Sequence, residues 1–272
     1  MATKYPLLND SAWLRDRYLG DGLSTITIAR LAGAKTCNSA RQALLRYNIP
    51  VRNQREAQIH QRVNDFILNE SVVNGCLLGD GKMGIHSKTS ELCVPYFAKK
   101  NKYQDHIEYV AGFLFEIPDK FVQPYTEKFQ GQEFNYWTLR SYSQECLKAV
   151  YEKWYPVSNG YKKVVPLDME LDAVSLLHWF MDDGSSYRRQ GYGRRSKQII
   201  ISFACESFTK EEQEFLAQQM WDKWGLYVNV RQYRIGHSGE KQYRMHLRQS
   251  QSDLFFEIIG DCPVESMQYK WK

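Results

Sequence analysis

Two aspartates, Asp80 and Asp183, stand where an apolar run meets a glycine: residues 73–81 read VNGCLLGDG and residues 176–184 read LLHWFMDDG. Each run is patterned as a buried helix, so each carboxylate is delivered at a helix C-terminal tip. The negative end of the helix dipole disfavours a carboxylate there by ~0.3–1 kcal/mol unless a cation is close. A bound divalent ion resolves both conflicts. Lysines follow at similar intervals: Lys163, in YKKVVP, lies 83 residues beyond Asp80, and Lys270, in QYK, lies 87 beyond Asp183. A divalent ion held there could activate water and neutralise a leaving oxygen. Mg²⁺ takes only one or two protein carboxylates and fills its shell with water and phosphate oxygens. Two aspartates are therefore enough. A third Asp-Gly, in LGDG at 19–22, follows a short helix presenting Trp13, Leu14 and Tyr18 and reads as a turn, because both residues tolerate left-handed angles.

Other chemistries find no residues. The six cysteines are scattered without a CxxC pair, and the six histidines lack metal-ligand spacing, which argues against zinc. A chain of 272 residues has no need of disulfides, so a reducing compartment is expected. No apolar run approaches the ~18 residues of a membrane span. The start, MATKYPLLND, matches neither a signal nor a transit peptide. The expectation is a cytoplasmic or organelle-encoded protein, not a secreted one. The net charge of +5 hints at a polyanionic partner. Its distribution says more: SSYRRQGYGRRSKQ carries Arg188, Arg189, Arg194, Arg195 and Lys197 with no acid. A solvated loop would explain most such runs; here a phosphate backbone competes as the explanation.

The elements that must position the aspartates repeat. Each half has an apolar helix ending in Asp, then β-rich sequence and amphipathic helices, then a lysine beside an aromatic, which is the mark of an internal duplication. In the first half KTSELCVPYFAKK and FNYWTLRSYS read as strands flanking the helix DHIEYVAGFLFEI. In the second, QIIISFAC, YVNVRQY and QYRMHLRQ read as strands and TKEEQEFLAQQMWDKW as a helix. Alternation in KQYRMHLRQ turns Tyr243, Met245 and Leu247 inward and Gln242, Arg244, His246 and Arg248 outward. In FNYWTLRSYS it places Trp137 and Leu139 inside, with Thr138, Arg140 and Tyr142 outside. Outer faces of this composition suit a DNA groove, although an ordinary wet face has the same pattern. Lys82 and Lys88 after the first motif, and Arg231 and Arg234 in the YVNVRQYRI stretch, are assigned to the same contact.

Ahead of these halves lies a small helical segment. SAWLRDRY reads as a helix capped by Ser11, LSTITIARLAG as a second capped by Ser24 with Ile28 and Leu31 on one face, and KTCNSARQALLRYN as a third with Ala40, Leu44 and Leu45 at helical spacing. Two short helices joined at Gly33, the second carrying Lys35, Asn38, Arg41 and Gln42, have the proportions of a helix-turn-helix. A merely structural three-helix packing unit would look similar. The expected boundaries are a helix-turn-helix over 1–52, a linker over 53–65, and two halves over 66–165 and 166–272.

At these residues the chain resembles the LAGLIDADG homing endonucleases in their single-chain, two-motif form, over roughly residues 66–272. Residues 11–52 are similar to the helix-turn-helix modules of recombinases and mobile-element nucleases. The resemblance implies an α+β fold: a pseudo-symmetric, duplicated αββαββα pair whose motif helices pack together and whose two saddle-shaped antiparallel sheets straddle duplex DNA. It implies that Asp80 and Asp183 bind metal, that Gly79 and Asp182 contribute at most backbone carbonyls, and that Lys163 and Lys270 are the basic active-site residues. Mg²⁺ is the implied cofactor, with Mn²⁺ able to substitute. The implied product is a double-strand break in a long, asymmetric double-stranded DNA target, made by a monomer. One departure stands out. The second motif has His178 and Asp182 where the first has Gly75 and Gly79, so the helix seam must be lopsided. Rival readings are a maturase that binds host intron RNA and a DNA-binding regulator derived from a nuclease. The presence of all four site residues argues against decay.

Overall fold

A computed structural model describes residues 5–53, 56, 66–85, 94–188, 199–236 and 239–271. Lys88, Arg189, Arg194, Arg195 and Lys197 lie outside these residues, as does nearly all of the segment 53–65. Chain contacts divide the protein into two compact units, residues 1–65 and 66–272.

In the first unit, α1 (Ser11–Arg15) is capped by Asp10 and not by Ser11: the Asp10 carboxylate accepts from the amides of Ala12 and Trp13, both at 3.0 Å. A carboxylate one residue upstream satisfies two free helix-end donors at once, which makes Ser11 the first helical residue. A π-helical turn, Asp16–Gly20, follows, and Asp21 pairs with Arg17 within that turn. Helix α2 (Thr25–Leu31) is capped by Ser24, which accepts from the Thr27 amide at 3.1 Å. Gly33, at φ +70°, makes the turn into α3 (Cys37–Arg46). Leu14, Tyr18, Ile28, Ala40, Leu44 and Ile49 form the core. Leu31, read on one face with Ile28, and Leu45, read at helical spacing with Ala40 and Leu44, are 51% and 47% exposed. Ala40 and Leu44, four apart, already fill the inward stripe of α3, and Leu45 is rotated a full residue step away from it.

The second unit is a duplication. Its first half runs α4 (Glu70–Leu78), β1 (Lys82–Ile85), β2 (Pro95–Asn101), α5 (Gln104–Leu114), β3 (Val122–Phe129), β4 (Gln132–Arg140) and α6 (Lys148–Trp154). Its second half runs α7 (Ala173–Asp183), β5 (Gly184–Arg188), β6 (Ile199–Phe203), α8 (Lys210–Trp224), β7 (Val228–Ile235), β8 (Lys241–Leu247) and α9 (Ser252–Ile259). Each half builds a four-stranded antiparallel sheet with the same order, β1-β2-β4-β3 and β5-β6-β8-β7. The fold is therefore α+β, two like halves each with an antiparallel sheet. Both share one core, in which Phe97, Leu139 and Trp154 of the first half and Trp179, Phe203 and Met245 of the second are buried.

Local chemistry sets these elements. Asn69 caps α4 through the Val72 amide and Asp172 caps α7 through the Ser175 amide. Thr209 and Glu212 form a reciprocal capping box at the start of α8, and Gly225, at φ +66°, ends it. Three strands were not anticipated. β3 contains Pro124, which an edge strand tolerates because its missing N–H faces no partner. Its hairpin to β4 closes through Gln130 and Gly131, both at positive φ, as a two-residue turn requires. β1 and β5 are short edge strands that continue directly from the motif helices, and β5 takes up the first residues of the basic run.

Candidate active site and nucleic-acid interface

The motif helices α4 and α7 pack face to face along a seam that glycine makes possible. A Cβ on Gly75 would lie 2.5 Å from the Ser175 carbonyl oxygen and 2.8 Å from His178 Cβ; one on Gly79 would lie 2.3 Å from Asp182 Cβ. The lopsidedness is therefore complementary: each missing side chain of α4 receives a large one of α7. Across the other end of the seam, Ser71 hydrogen-bonds the Asp172 carboxylate that caps α7.

This packing brings Asp80, Asp183, Lys163 and Lys270 together. The Asp80 amide donates to Asp182 Oδ2 at 3.2 Å, so the two motif ends are in direct contact. Each lysine caps a motif-helix C-terminus. Lys163 Nζ donates to the carbonyls of Gly79 (2.9 Å) and Gly81 (3.3 Å). Lys270 Nζ donates to Phe180 (3.2 Å), Met181 (2.6 Å) and Asp182 (2.8 Å). The conflict between carboxylate and helix dipole thus has a partial answer inside the chain, since an ammonium sits at each negative helix end. An ammonium has three donors: Lys270 uses all of them on backbone, whereas Lys163 uses two. The carbonyls of Gly79 and Asp182 each spend one lone pair on a lysine.

Positive charge is nevertheless short. Burial, then the Asp80 and Asp182 carboxylates, push Asp183 up to about 7, against the pull of Lys163 and Lys270. Asp80 is raised by burial and then by Asp182. It is an exposed residue, so water screens that shift and Asp183 is the better witness. Burial lowers Lys163, with Asp183 as the largest opposing attraction, and takes Lys270 down to about 8. Two oxygen donors at a site that resists further negative charge fit a hard divalent cation. Among the described residues no group of three or more His, Cys, Asp or Glu is arranged to hold a metal.

Beneath the aspartates lies a group that sequence reasoning missed. The Lys99 ammonium pairs with the Asp182 carboxylate, both side chains fully buried, and His106 Nε2 lies 3.6 Å from Asp182 Oδ1. Burial, together with Lys99, holds His106 well below the usual imidazole range, and burial takes His178 down to about 3. Both are neutral at physiological pH. His178 stacks on Tyr109 as core.

The sheets present the basic positions. Register sets Lys82, Ala98 and Arg140 in one row and Lys100, Thr138 and Gln123 in another, all on the face away from Phe97 and Leu139. The Arg140 guanidinium lies 4.2 Å from the Tyr96 ring centroid, and Lys100 pairs with Glu127 at 2.6 Å. Tyr96 and Lys100 were missed, although alternation from Phe97 identifies both. Tyr142 was expected outside. Strand β4 stops at Arg140, Ser141 takes the next buried position by bonding both backbone groups of Phe97, and Tyr142 packs edge-on against Phe121 at 5.5 Å.

On the second sheet Asn229, His246, Ser202 and Ser185 form one row, and Arg231 faces Arg244. Arg231 and Arg234 are an odd number of residues apart, which strict alternation would place on opposite faces. A bulge at Tyr233 returns Arg234 opposite Gln242, 2.7 Å from its side-chain oxygen. Arg244 lies 3.7 Å from the Tyr233 ring centroid and pairs with Glu206 at 2.5 Å, an acid that follows β6. Tyr187, Asn229, Arg231, His246 and Arg248 line a cleft of about 620 Å³. Arg188 is exposed at the end of β5. In the N-terminal unit Lys35, Asn38, Arg41 and Gln42 are all exposed, and residues 22–49 contain no acid.

Comparison with known proteins agrees with this architecture. The family model described as "LAGLIDADG DNA endonuclease family" matches residues 70–255. A probable intron-encoded endonuclease 1 from Wickerhamomyces canadensis is 21% identical over 206 residues, covering 75% of this chain and 83% of that one. Among solved structures, the homing endonuclease I-WcaI bound to its DNA recognition sequence superposes with a TM-score of 0.61 at 19% identity, covering 75% of this chain and 85% of that one. I-DmoI in complex with DNA and Ca is a more distant likeness, with a TM-score of 0.43 at 12% identity over 74% of this chain and 97% of that one. With the family model spanning both motif helices and both sheets, the chain belongs to the LAGLIDADG DNA endonuclease family.

Proposed function

We propose that this protein is a site-specific homing endonuclease that makes a double-strand break in a long duplex DNA target, using divalent metal ions. The observation that carries the reading is the meeting of Asp80 and Asp183 at the ends of two packed helices, where burial, then the Asp80 and Asp182 carboxylates, hold Asp183 up to about 7. Asp80 and Asp183 would hold the metal, with the Gly79 and Asp182 carbonyls as further oxygen donors. Mg²⁺ bound there would supply Lewis acidity to water and to the scissile phosphate, and Mn²⁺ is expected to substitute. Among the described residues Lys163 donates to two carbonyls, so its third N–H would orient a water or a phosphate oxygen. Lys270, spent on three carbonyls, fixes the end of α7 and hence the Asp183 backbone. Because both carboxylates come from one chain, a monomer is complete.

The two sheets supply base and phosphate contacts through Lys82, Thr138, Arg140, Arg231, Arg234, Gln242, Arg244, His246 and Arg248. Burial, then Arg231 and Arg244, lower His246 in the free protein, and a neutral imidazole can both donate and accept. The N-terminal α2–turn–α3 would act as a helix-turn-helix, with Lys35, Asn38, Arg41 and Gln42 turned to DNA. The test is direct. Incubation with Mg²⁺ and an uninterrupted allele of the host gene should give one defined cut, lost in EDTA. Intact DNA under conditions where the protein binds it would overturn the reading.

A further inference from the structure

The buried Lys99–Asp182 pair has no counterpart in the other half of the duplication. Register identifies the equivalents. Lys99 pairs with Leu139 between β2 and β4, and Phe203 pairs with Met245 between β6 and β8. These are the same positions in sheets of the same order. Where the second half buries a phenylalanine, the first buries an ammonium. Likewise Asp182 stands one residue before Asp183, and its equivalent one residue before Asp80 is Gly79. The two exceptions meet across the seam. The Lys99 ammonium holds both oxygens of the Asp182 carboxylate, and Asp182 Oδ2 accepts the Asp80 amide.

A buried ion pair is weak evidence for stability, since desolvation offsets much of the attraction, and replacement by apolar groups is often neutral. A pair retained in place of Phe and Gly at the foot of the site has a different use. We propose that Lys99 and Asp182 are positioning residues that hold the Asp80 backbone from beneath, so that one of the two aspartates is set by a charged tether and the other is not. The proposal rests on the nuclease reading above. Asp183 is the last residue of α7, within the helix that Lys270 holds through three carbonyls, whereas Lys163 holds the Asp80 side through the Gly79 and Gly81 carbonyls alone. The Asp80 side follows a helix that has already ended at Leu78. Gly79 is obligatory here, since any Cβ would occupy the Asp182 side chain.

The test uses Lys99→Met with Asp182→Asn, a double variant that removes both charges at nearly constant volume, beside Lys99→Met alone. Hydrogen exchange of the full-length protein is the first readout and needs no cleavage. In the double variant, exchange over residues 76–84 should rise at least tenfold while residues 179–187 stay unchanged. The second readout is strand-resolved cleavage of an end-labelled target with Mg²⁺. One strand should slow at least tenfold more than the other, so that nicked product accumulates. If Lys99→Met alone fails to fold, the double variant decides the matter. Equal loss of protection in both segments, or equal slowing of both strands, makes the pair a structural element only and overturns the proposal. If the wild-type protein cuts nothing, the nuclease reading fails, and hydrogen exchange still decides whether the tether exists.

Discussion

Asp183 illustrates how a single residue couples stability to ligand. A carboxyl whose folded pKa is near 7 against an ordinary 3.8 binds its proton more tightly in the folded state. Its contribution is favourable below about pH 4 and is lost as pH rises through 7. The full shift would be worth about 4 kcal/mol; partial exposure of Asp183 reduces this to on the order of 1–2 kcal/mol. Metal-free protein should therefore melt lower at pH 8 than at pH 5.5, and Mg²⁺ should raise the melting temperature more at pH 8. Asp183→Asn should flatten both dependences. Thermal melts in EDTA and in Mg²⁺ check this, and a slope unchanged in the variant would remove Asp183 from the coupling. At this scale the sequence was most legible where two glycine-flanked aspartates recur with two lysines. Lys99 was passed over because it sits beside Lys100 and Lys102, although the alternation from Phe97 that turns Lys100 outward turns Lys99 inward. Asp182 was read for its carbonyl alone, while its carboxylate turned out to bind Lys99 and the Asp80 amide.

At the scale of elements, the seam between α4 and α7 is the part that fixes the aspartates. Gly75 faces the Ser175 carbonyl, a backbone group that cannot swing aside, at a distance that no Cβ tolerates. Gly75→Ala should lower stability by about 1–3 kcal/mol, the range for overpacking a tight core, seen as a reduced urea midpoint at constant slope. An unchanged midpoint would mean that the helices are not this close. The need for glycine four residues apart was visible in the sequence. What filled the gap was not, because complementarity joins residues about a hundred positions apart. Strands followed the same division. β8 was legible from its clean alternation of Tyr243, Met245 and Leu247 with polar residues. β3 was hidden by Pro124 and β5 by the basic run it opens.

For the whole molecule, duplication within one chain explains why two like sheets and two like helices surround a site with unlike halves. The units 1–65 and 66–272 each have a core of their own, and the first exposes Lys35, Asn38, Arg41 and Gln42. Removing residues 1–65 should leave a folded nuclease that cuts at the same position, with a shorter footprint and weaker binding. An identical footprint would assign the N-terminal unit another task. The most direct measurement is run-off sequencing of target-containing DNA after digestion with Mg²⁺ by the wild-type protein, Asp80→Asn and Asp183→Asn. The wild type should leave one pair of opposed breaks. Each variant should lose them while still retaining the site in a pull-down. Breaks that persist in both variants would show that these carboxylates do not hold the metal.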